Sequence, residues 1–315
     1  MLSIYPDYYS SFRCIADKCR HTCCAGWEID IDEESLIRFR ETEGVMGERL
    51  RQCISEGEEP HFILEEGERC PFLNGENLCD LILYAGEDFL CQICTDHPRF
   101  RTFLPCRTEI GLGLCCEAAG KLILGKEKPM TPIAEGEPGC AEDEEAYLLA
   151  LREEVFALVW DRSLPLWERM EKILSRCGSA GETDPMKWVD FYLGLERLDE
   201  SWTDTLQELK TVGNDRDEES FLRYMKGRER EYENLLEYFL YRHFLVAYDD
   251  GDAAGKAAFA VLSVRIILAL GAVHFGKHGS FPFEEQVELA RRYSSEIEYS
   301  QENLDAFFDA LAEGF

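Results

Sequence analysis

Fourteen cysteines are the residues in this sequence whose type and spacing could do chemistry. They stand at positions 14, 19, 23, 24, 53, 70, 79, 91, 94, 106, 115, 116, 140 and 177, so twelve fall within the first 116 residues. Thiolates are soft ligands for iron–sulfur clusters, zinc or copper(I). The first group is Cys14-x4-Cys19-x3-Cys23-Cys24, followed by Ala25-Gly26-Trp27. Adjacent Cys23 and Cys24 cannot both point the same way from a regular strand, so one serves a second site or packs as an apolar thiol. The second group is Cys70-Pro-Phe-Leu-Asn-Gly-Glu-Asn-Leu-Cys79, and the third is Cys91-x2-Cys94-Thr-Asp-His97-Pro98-Arg99. Cys106 and the pair Cys115-Cys116 close the region. Buried structural thiols are the plain alternative. The density is far above ordinary usage, however, and it is interleaved with Gly, Pro and Asn, so metal binding is the expectation. A thiolate set suits zinc and iron alike. The lack of a regular C-x2-C…C-x2-C pairing tilts the reading toward iron–sulfur.

The elements that must position these residues are short. An extended His61–Glu65, a turn at Asn74-Gly75 and a Gly-punctuated apolar run, Glu109–Leu114, occupy the first 125 residues. The spacing predicts one helix there, over 31–43, with Leu36, Ile37 and Phe39 on its buried face. Residues 126–145 read as a linker, with Pro129, Pro132, Gly136, Pro138 and Gly139 ahead of the acid run Glu142–Glu145. Beyond it the periodicity is helical over 146–160, 186–199, 201–211, 229–249, 252–275, 283–297 and 301–313. A further helix start lies at Ser163, with Pro165 in the first turn. The expected fold is mainly α: an N-terminal Cys-rich metal-binding subdomain with short strands and loops over 1–125, the linker, and an all-α domain over 146–315.

Composition sets limits on function. The chain of 315 residues is 45% hydrophobic and 12% aromatic, which excludes wholesale disorder. It has 63 acidic and 33 basic residues, a net charge of −30, which argues against nucleic acid or an anionic membrane as partner. The first 125 residues carry 12 basic and 23 acidic residues, so most of the excess acid lies on the helical part. The start lacks a basic region followed by an apolar one. The most apolar stretch, 257–273, reads as a core helix, too short and too charged to span a bilayer. A cytoplasmic address is the default, and in a reducing compartment clustered cysteines mean metal or redox chemistry more often than disulfides.

Tyr5-Pro6-Asp7-Tyr8-Tyr9 and Phe12-Arg13-Cys14-Ile-Ala-Asp-Lys-Cys19-Arg-His-Thr-Cys23-Cys24-Ala-Gly-Trp27 resemble the start of the flagellin lysine-N-methylase family. That family belongs with a wider CxxCxxCC group of zinc- or iron-chelating proteins. Three further pieces agree: Cys70-Pro-Phe-Leu with Leu78-Cys79, Cys94-Thr-Asp-His97-Pro-Arg, and Leu112-Gly-Leu-Cys115-Cys116-Glu-Ala-Ala. The family commonly has Tyr at the His97 position and Pro at the Cys116 position. The resemblance covers roughly residues 5–125 and is diffuse beyond, limited to features such as Arg228-Glu-Arg-Glu-Tyr-Glu-Asn.

The resemblance implies transfer of a methyl group from S-adenosylmethionine to lysine side chains of flagellin, with a bound 4Fe–4S cluster (zinc is the alternative). The pattern positions, implied as metal ligands, are Cys14, Cys19, Cys23, Cys24, Cys70, Cys79, Cys94 and Cys115. Eight thiolates exceed the four that one cluster needs, so either two metal sites exist or some of the eight stand outside the coordination sphere. Cys53, Cys91, Cys106, Cys140 and Cys177 fall outside the pattern and read as structural thiols. Methylation needs a neutral amine, whereas lysine's ordinary pKa is about 10.4. His97, Tyr241, His243, Tyr84, Asp80 and Asp96 are candidates for the base, and the sequence distinguishes none of them. Neither a glycine-rich nucleotide turn after a strand nor the radical Cys-x3-Cys-x2-Cys spacing occurs. The competing class is a non-catalytic zinc- or iron-binding structural or redox module with a helical partner-binding surface.

Overall fold

The computed structural model describes residues 2–314 except Glu58, Pro138 and Ala180, so the linker's Pro138 lies outside the described residues. The fold is mainly α-helical with one small sheet. The chain divides into two units, Arg13–Arg99 and a second made of Met1–Phe12 with Phe100–Phe315. The division therefore differs from the break at 126–145. Within that stretch, Pro132–Glu135 is a strand that pairs with Leu2–Pro6, and backbone hydrogen bonding to an open sheet edge outweighs its Pro and Gly content.

In Arg13–Arg99 short helices are tied by isolated bridges. Helix α1 (Glu33–Glu41) starts at Asp32, whose Oδ1 accepts the Ser35 N–H at 2.9 Å. Ser35 and Phe39, four apart, form its buried stripe. Ile37, expected inside, is 51% exposed, because one step from Leu36 turns a side chain by about 100°. Helices α2 (Gly44–Cys53), α3 (Asp80–Ala85) and α4 (Gln92–Asp96) follow. The extended His61–Glu65 segment appears as bridges from His61 to Asp30 and from Phe62 to Ile54. Ile29, Phe39, Leu50, Phe62, Phe72 and Leu81 make the core, together with the thiols described below.

In the second unit, strands β1 (Leu2–Pro6), β2 (Arg99–Phe103), β3 (Arg107–Leu112) and β4 (Pro132–Glu135) form a sheet of order β2-β3-β1-β4. β1 runs parallel to β3, with Ile4 opposite Glu109, and antiparallel to β4. Gly111 is required in β3: a Cβ there would lie 2.3 Å from the Phe100 ring. Helix α5 (Glu117–Leu124) precedes β4. Helices α6 (Asp143–Val159), α7 (Leu166–Cys177), α8 (Pro185–Gly194), α9 (Glu200–Val212), α10 (Glu218–Tyr224), α11 (Arg230–His243), α12 (Ala247–Asp250), α13 (Ala253–His278), α14 (Phe283–Tyr293) and α15 (Gln301–Ala312) complete the unit. Pro165 sits just before α7 rather than in its first turn. The predicted 283–297 helix ends early, as α14 passes into a π-helical turn at Ser294–Glu298.

α13 is longer than the apolar run suggested. By length and composition it could cross a membrane, but 78% of its most apolar window is buried inside the fold. Lys256, which made the segment look too charged, is 1% exposed; its Nζ pairs with Asp250 at 2.6 Å and lies 3.5 Å over the Phe308 ring.

Candidate functional site

Local backbone pairing brings cysteines of different segments together in Arg13–Arg99. The Cys70 N–H donates to the Cys24 carbonyl at 2.8 Å beside the Ala25–Arg69 bridge, which sets residues 24 and 70 side by side. At the turn, Asn74 Oδ1 accepts the N–H groups of Glu76 and Leu78 at 2.9 and 3.0 Å. The chain then returns so that Leu73 bridges Cys79, at the start of α3. Cys91 immediately precedes α4 and Cys94 lies within it, with their Sγ atoms 3.4 Å apart. One carboxylate fixes both helix starts: Asp32 Oδ1 caps α1, while its Oδ2 accepts the Gln92 N–H of α4 at 2.8 Å. Burial opposes the charge on Asp32, but the N–H groups of Gln92 and Ser35 hold its carboxyl below the usual range.

Cys24, Cys70, Cys79, Cys91 and Cys94 all belong to or pack against the unit's core and feel one another's charge. A hydrogen bond from Cys23, aided by Thr22 and Arg69 and opposed by burial, brings Cys24 down to about 7. Burial pushes Cys70 up to about 12 and raises Cys79. Within the Cys91–Cys94 pair, the shared hydrogen bond lowers Cys91 and raises Cys94. Left to themselves, these thiols cannot all ionise in one place; a cation among them would supply the compensating charge. Among the described residues no three His, Cys, Asp or Glu side chains already stand around the position of an ion. The donor chemistry nevertheless fits a thiolate-held group: five soft ligands along one core, Cys70 and Cys91 buried and Cys24, Cys79 and Cys94 half-buried.

Cys53 also packs against this core, and the other cysteines are dispersed. Cys14 and Cys23 are exposed and Cys19 is half-buried, on a stretch with a single 3-10 turn at Ala16–Lys18. Cys53 is half-buried at the end of α2. Cys115 belongs to the other unit, where burial pushes it up to about 12 next to Tyr299. Cys116 directly precedes α5. Cys106 donates its thiol hydrogen to Glu145 at 2.7 Å, Cys140 is exposed, and Cys177 ends α7. Cys91, set aside as structural by the family pattern, is thus placed with four pattern residues. Its C-x2-C spacing from Cys94 was the available signal.

The candidate bases have other partners. Asp80 pairs with Arg49 at 2.6 Å and accepts from Asn74 at 2.9 Å. Asp96 accepts from Gln92 at 2.8 Å. Tyr84 is 52% exposed, its ring edge on Phe89. Burial, with the Arg99 charge, pulls His97 down to about 4, so its imidazole is neutral at pH 7. The Tyr241 hydroxyl is shared between the carbonyls of Ile4 and Ile110, at 3.3 and 3.2 Å, and pins α11 to the sheet. His243 donates through Nε2 to Glu298 at 2.6 Å. Glu298, ending the π-helical turn, also accepts from the Tyr238 hydroxyl at 3.0 Å and pairs with Arg242 at 3.3 Å. Burial opposes its charge, yet Arg242 and His243 hold its carboxyl low.

The sequence reading missed the buried acids of α11. Glu233 pairs with Arg162 at 2.6 Å and with Arg169 at 2.8 Å. Glu237, one turn on, accepts the Met130 N–H at 3.0 Å and the Trp160 indole N–H at 2.8 Å. Carboxylates four apart on a helix whose neighbouring positions are Leu and Tyr were the signal.

Residues 186–315 match the family model of the FliB lysine N-methylase C-terminal domain. The lysine-N-methylase of Salmonella typhimurium is 24% identical over 139 residues, covering 40% of this chain and 33% of that protein. The lysine-N-methylase of Salmonella choleraesuis matches to the same extent. The flagellar biosynthetic protein FliU of Salmonella muenchen is 22% identical over 136 residues, 40% of this chain and 78% of that protein. The match thus spans about a third of the length of the two lysine-N-methylases. No solved structure matches. The cysteine motifs of the N-terminal part and the matched domain of the C-terminal part both support similarity to the flagellin lysine-N-methylase family.

Proposed function

We propose that this chain is a protein lysine N-methyltransferase that uses S-adenosylmethionine, carries an iron–sulfur cluster on the thiols of Arg13–Arg99, and takes flagellin as substrate. The observation that carries the reading is the match of residues 186–315 to a lysine N-methylase domain. The five-thiol grouping supports the cluster, and the flagellar name of one relative supports the substrate. Cys24, Cys70, Cys79, Cys91 and Cys94 would hold the metal; a 4Fe–4S cluster takes four, which leaves one as a neighbour. A cytoplasmic setting keeps such thiols reduced.

Bound S-adenosylmethionine supplies a sulfonium methyl open to attack by a neutral amine. The protein's part is to receive a lysine ammonium, exclude water and take a proton from it. The net charge of −30 favours approach of a lysine-bearing surface.

Calorimetry with S-adenosylmethionine on anaerobically prepared protein tests the enzyme, with methyl transfer to flagellin read by mass. Saturable binding and lysine-specific methylation are expected. A chain that binds no S-adenosylmethionine is instead a non-catalytic metal-binding module. Iron and sulfide analysis tests the cluster: a brown preparation is expected, and a colourless one holding zinc replaces the cluster with a zinc site.

A further inference from the structure

The second unit contains a small cavity that none of the preceding roles uses. It measures about 10 Å³, room for one group of water or ammonium size, and its wall includes Tyr8, Lys126, Asn234, Glu237, Tyr238 and Tyr241. Asn234 is 2% exposed. Its Nδ2 donates to the carbonyls of Leu124 and Lys126, at 2.9 and 3.0 Å, which fixes the amide's orientation. The Oδ1 that remains is a buried acceptor without a hydrogen-bond partner. Glu237, 6% exposed, accepts from Met130 and Trp160, and among the described residues no Lys or Arg lies within ion-pair distance of it. The hydroxyls of Tyr238 and Tyr241 offer no spare hydrogen, since Tyr238 donates to Glu298 and Tyr241 to the sheet carbonyls. The wall is therefore rich in acceptors and ring faces, with the Tyr8 hydroxyl and the Lys126 ammonium as its donors.

The fold already places one alkylammonium against this wall. Lys126 Nζ lies 5.4 Å from the centroid of the Tyr8 ring and pairs with Asp7 at 2.5 Å, its side chain 13% exposed. An ammonium within about 6 Å of a ring face is attracted by the ring's quadrupole. A primary ammonium also brings three N–H donors to a cavity whose Asn234 Oδ1 lacks one.

We propose that this cavity receives the ε-ammonium of the acceptor lysine, with Asn234 Oδ1 and the Glu237 carboxylate as its acceptors, the Tyr8 ring as its cation face, and Lys126 as the internal competitor. The identity of the amine as a substrate lysine rests on the methylase reading above; the preference of the cavity for an ammonium does not. One proton passes from the ammonium nitrogen to a Glu237 oxygen, the nitrogen keeps its electron pair, and the ion pair becomes a neutral amine beside a carboxylic acid. Glu237 suits that exchange: burial, opposed by its hydrogen bonds and by the charge of Lys126, pushes it up to about 7, where acid and base forms are both populated at working pH.

Ligand-observed NMR on the full chain at pH 7 tests this, with n-butylammonium as probe and n-butanol as its neutral control. Saturable n-butylammonium binding is expected, about tenfold tighter in Lys126→Ala and about tenfold weaker in Glu237→Gln, with n-butanol silent. Because Glu237 also holds Met130 and Trp160, Tyr8→Leu serves as a second variant, with a loss of about fivefold expected. No saturable binding by either the wild type or Lys126→Ala means a water-filled void and overturns the assignment; so does binding that Glu237→Gln and Tyr8→Leu leave unchanged, or equal binding of n-butanol. Methyl transfer to lysine without ammonium binding overturns the pocket and leaves the enzyme reading standing. Ammonium binding without methyl transfer supports the pocket and sinks the enzyme reading.

Discussion

In Arg13–Arg99 the helices are nine, ten, six and five residues long, and the core they enclose includes Cys70 and Cys91. In the other unit α13 alone runs 26 residues, with Ala257 to Val264 sealed by the surrounding helices. Helices of one or two turns are marginal by themselves and depend on tertiary packing. The helical unit has that packing in hydrocarbon; the small unit fills part of its core with thiols, whose contribution depends on what they bind. The same chain thus holds one region whose order comes from hydrocarbon burial and one whose order, under the proposed cluster, would be linked to metal binding.

The largest expected effect breaks this comparison open. Stripping the metal with a chelator under reducing conditions should unfold Arg13–Arg99 and leave the helical unit intact, because site-forming metal binding is folding energy, on the order of 10 kcal/mol for structural sites. Hydrogen exchange reads it directly. Protection should vanish at Ile31, Phe62 and Cys70, whose N–H groups are paired, and persist along α13. Equal protection before and after chelation would show that the thiols act only as core.

In the helical unit the corresponding weak point is a buried ion pair. Arg152 bonds Glu109 through two nitrogens at 2.5 and 2.7 Å, and both residues are almost fully buried. Arg152→Ala leaves the buried Glu109 carboxylate with only Arg107, at 3.6 Å, as counter-charge and should cost up to about 3 kcal/mol in denaturant melts. Because the pair lies wholly in the second unit, exchange rates at Ile31 and Phe62 should not change, which tests whether the two regions melt separately.

Titration provides a finer contrast. The folded state keeps a proton on Glu237 up to about pH 7, whereas the unfolded chain loses it near 4.5. The folded state therefore binds more protons between these values, and stability from this group falls as pH rises through that window and levels off above it. The charged or titratable groups that face it are Asp7, Tyr8, Lys126, Tyr238 and Tyr241. Glu237→Gln removes the effect, so its stability relative to wild type should climb by up to about 3 kcal/mol between pH 5 and pH 8. Parallel pH curves would show that Glu237 is ionised throughout.

Helices in the second unit were legible because a 3.6-residue period needs only apolar spacing. The expected 201–211 and 301–313 became Glu200–Val212 and Gln301–Ala312, the latter capped by Ser300, which accepts the Asn303 N–H. Strand β4 was illegible, since nothing in Pro-Ile-Ala-Glu says which edge it will pair with. The thiol grouping was legible in number but not in membership. Family spacing pointed to Cys14 and Cys19, exposed and half-buried on either side of the 3-10 turn Ala16–Lys18, and passed over Cys91, which the Asp32 double cap sets next to Cys94. The ammonium cavity could not be read at all. Its members come from positions 8, 126, 234 and 237, and only the fold makes them neighbours.

The smallest effect separates the regions with a single kind of substitution. Gly75 lies in the Asn74 turn, where an added Cβ meets nothing within 4 Å, so Gly75→Ala should change stability by no more than about 0.5 kcal/mol. Gly111 lies in β3, where the same Cβ would lie 2.3 Å from the Phe100 ring. That ring cannot simply retreat. Its edge contacts reach Tyr238 and Tyr241 at centroid distances of 6.4 and 6.1 Å, and Arg242 sits 5.0 Å above it. Gly111→Ala should therefore cost about 1–3 kcal/mol, the usual range for an overfilled core. Adding Phe100→Leu should recover part of the loss, because the smaller side chain yields the space the methyl needs. A double-mutant cycle in urea measures the coupling. Strict additivity would mean that β3 shifts away from β2 instead, and that the sheet gives way more readily than the helix packed on it.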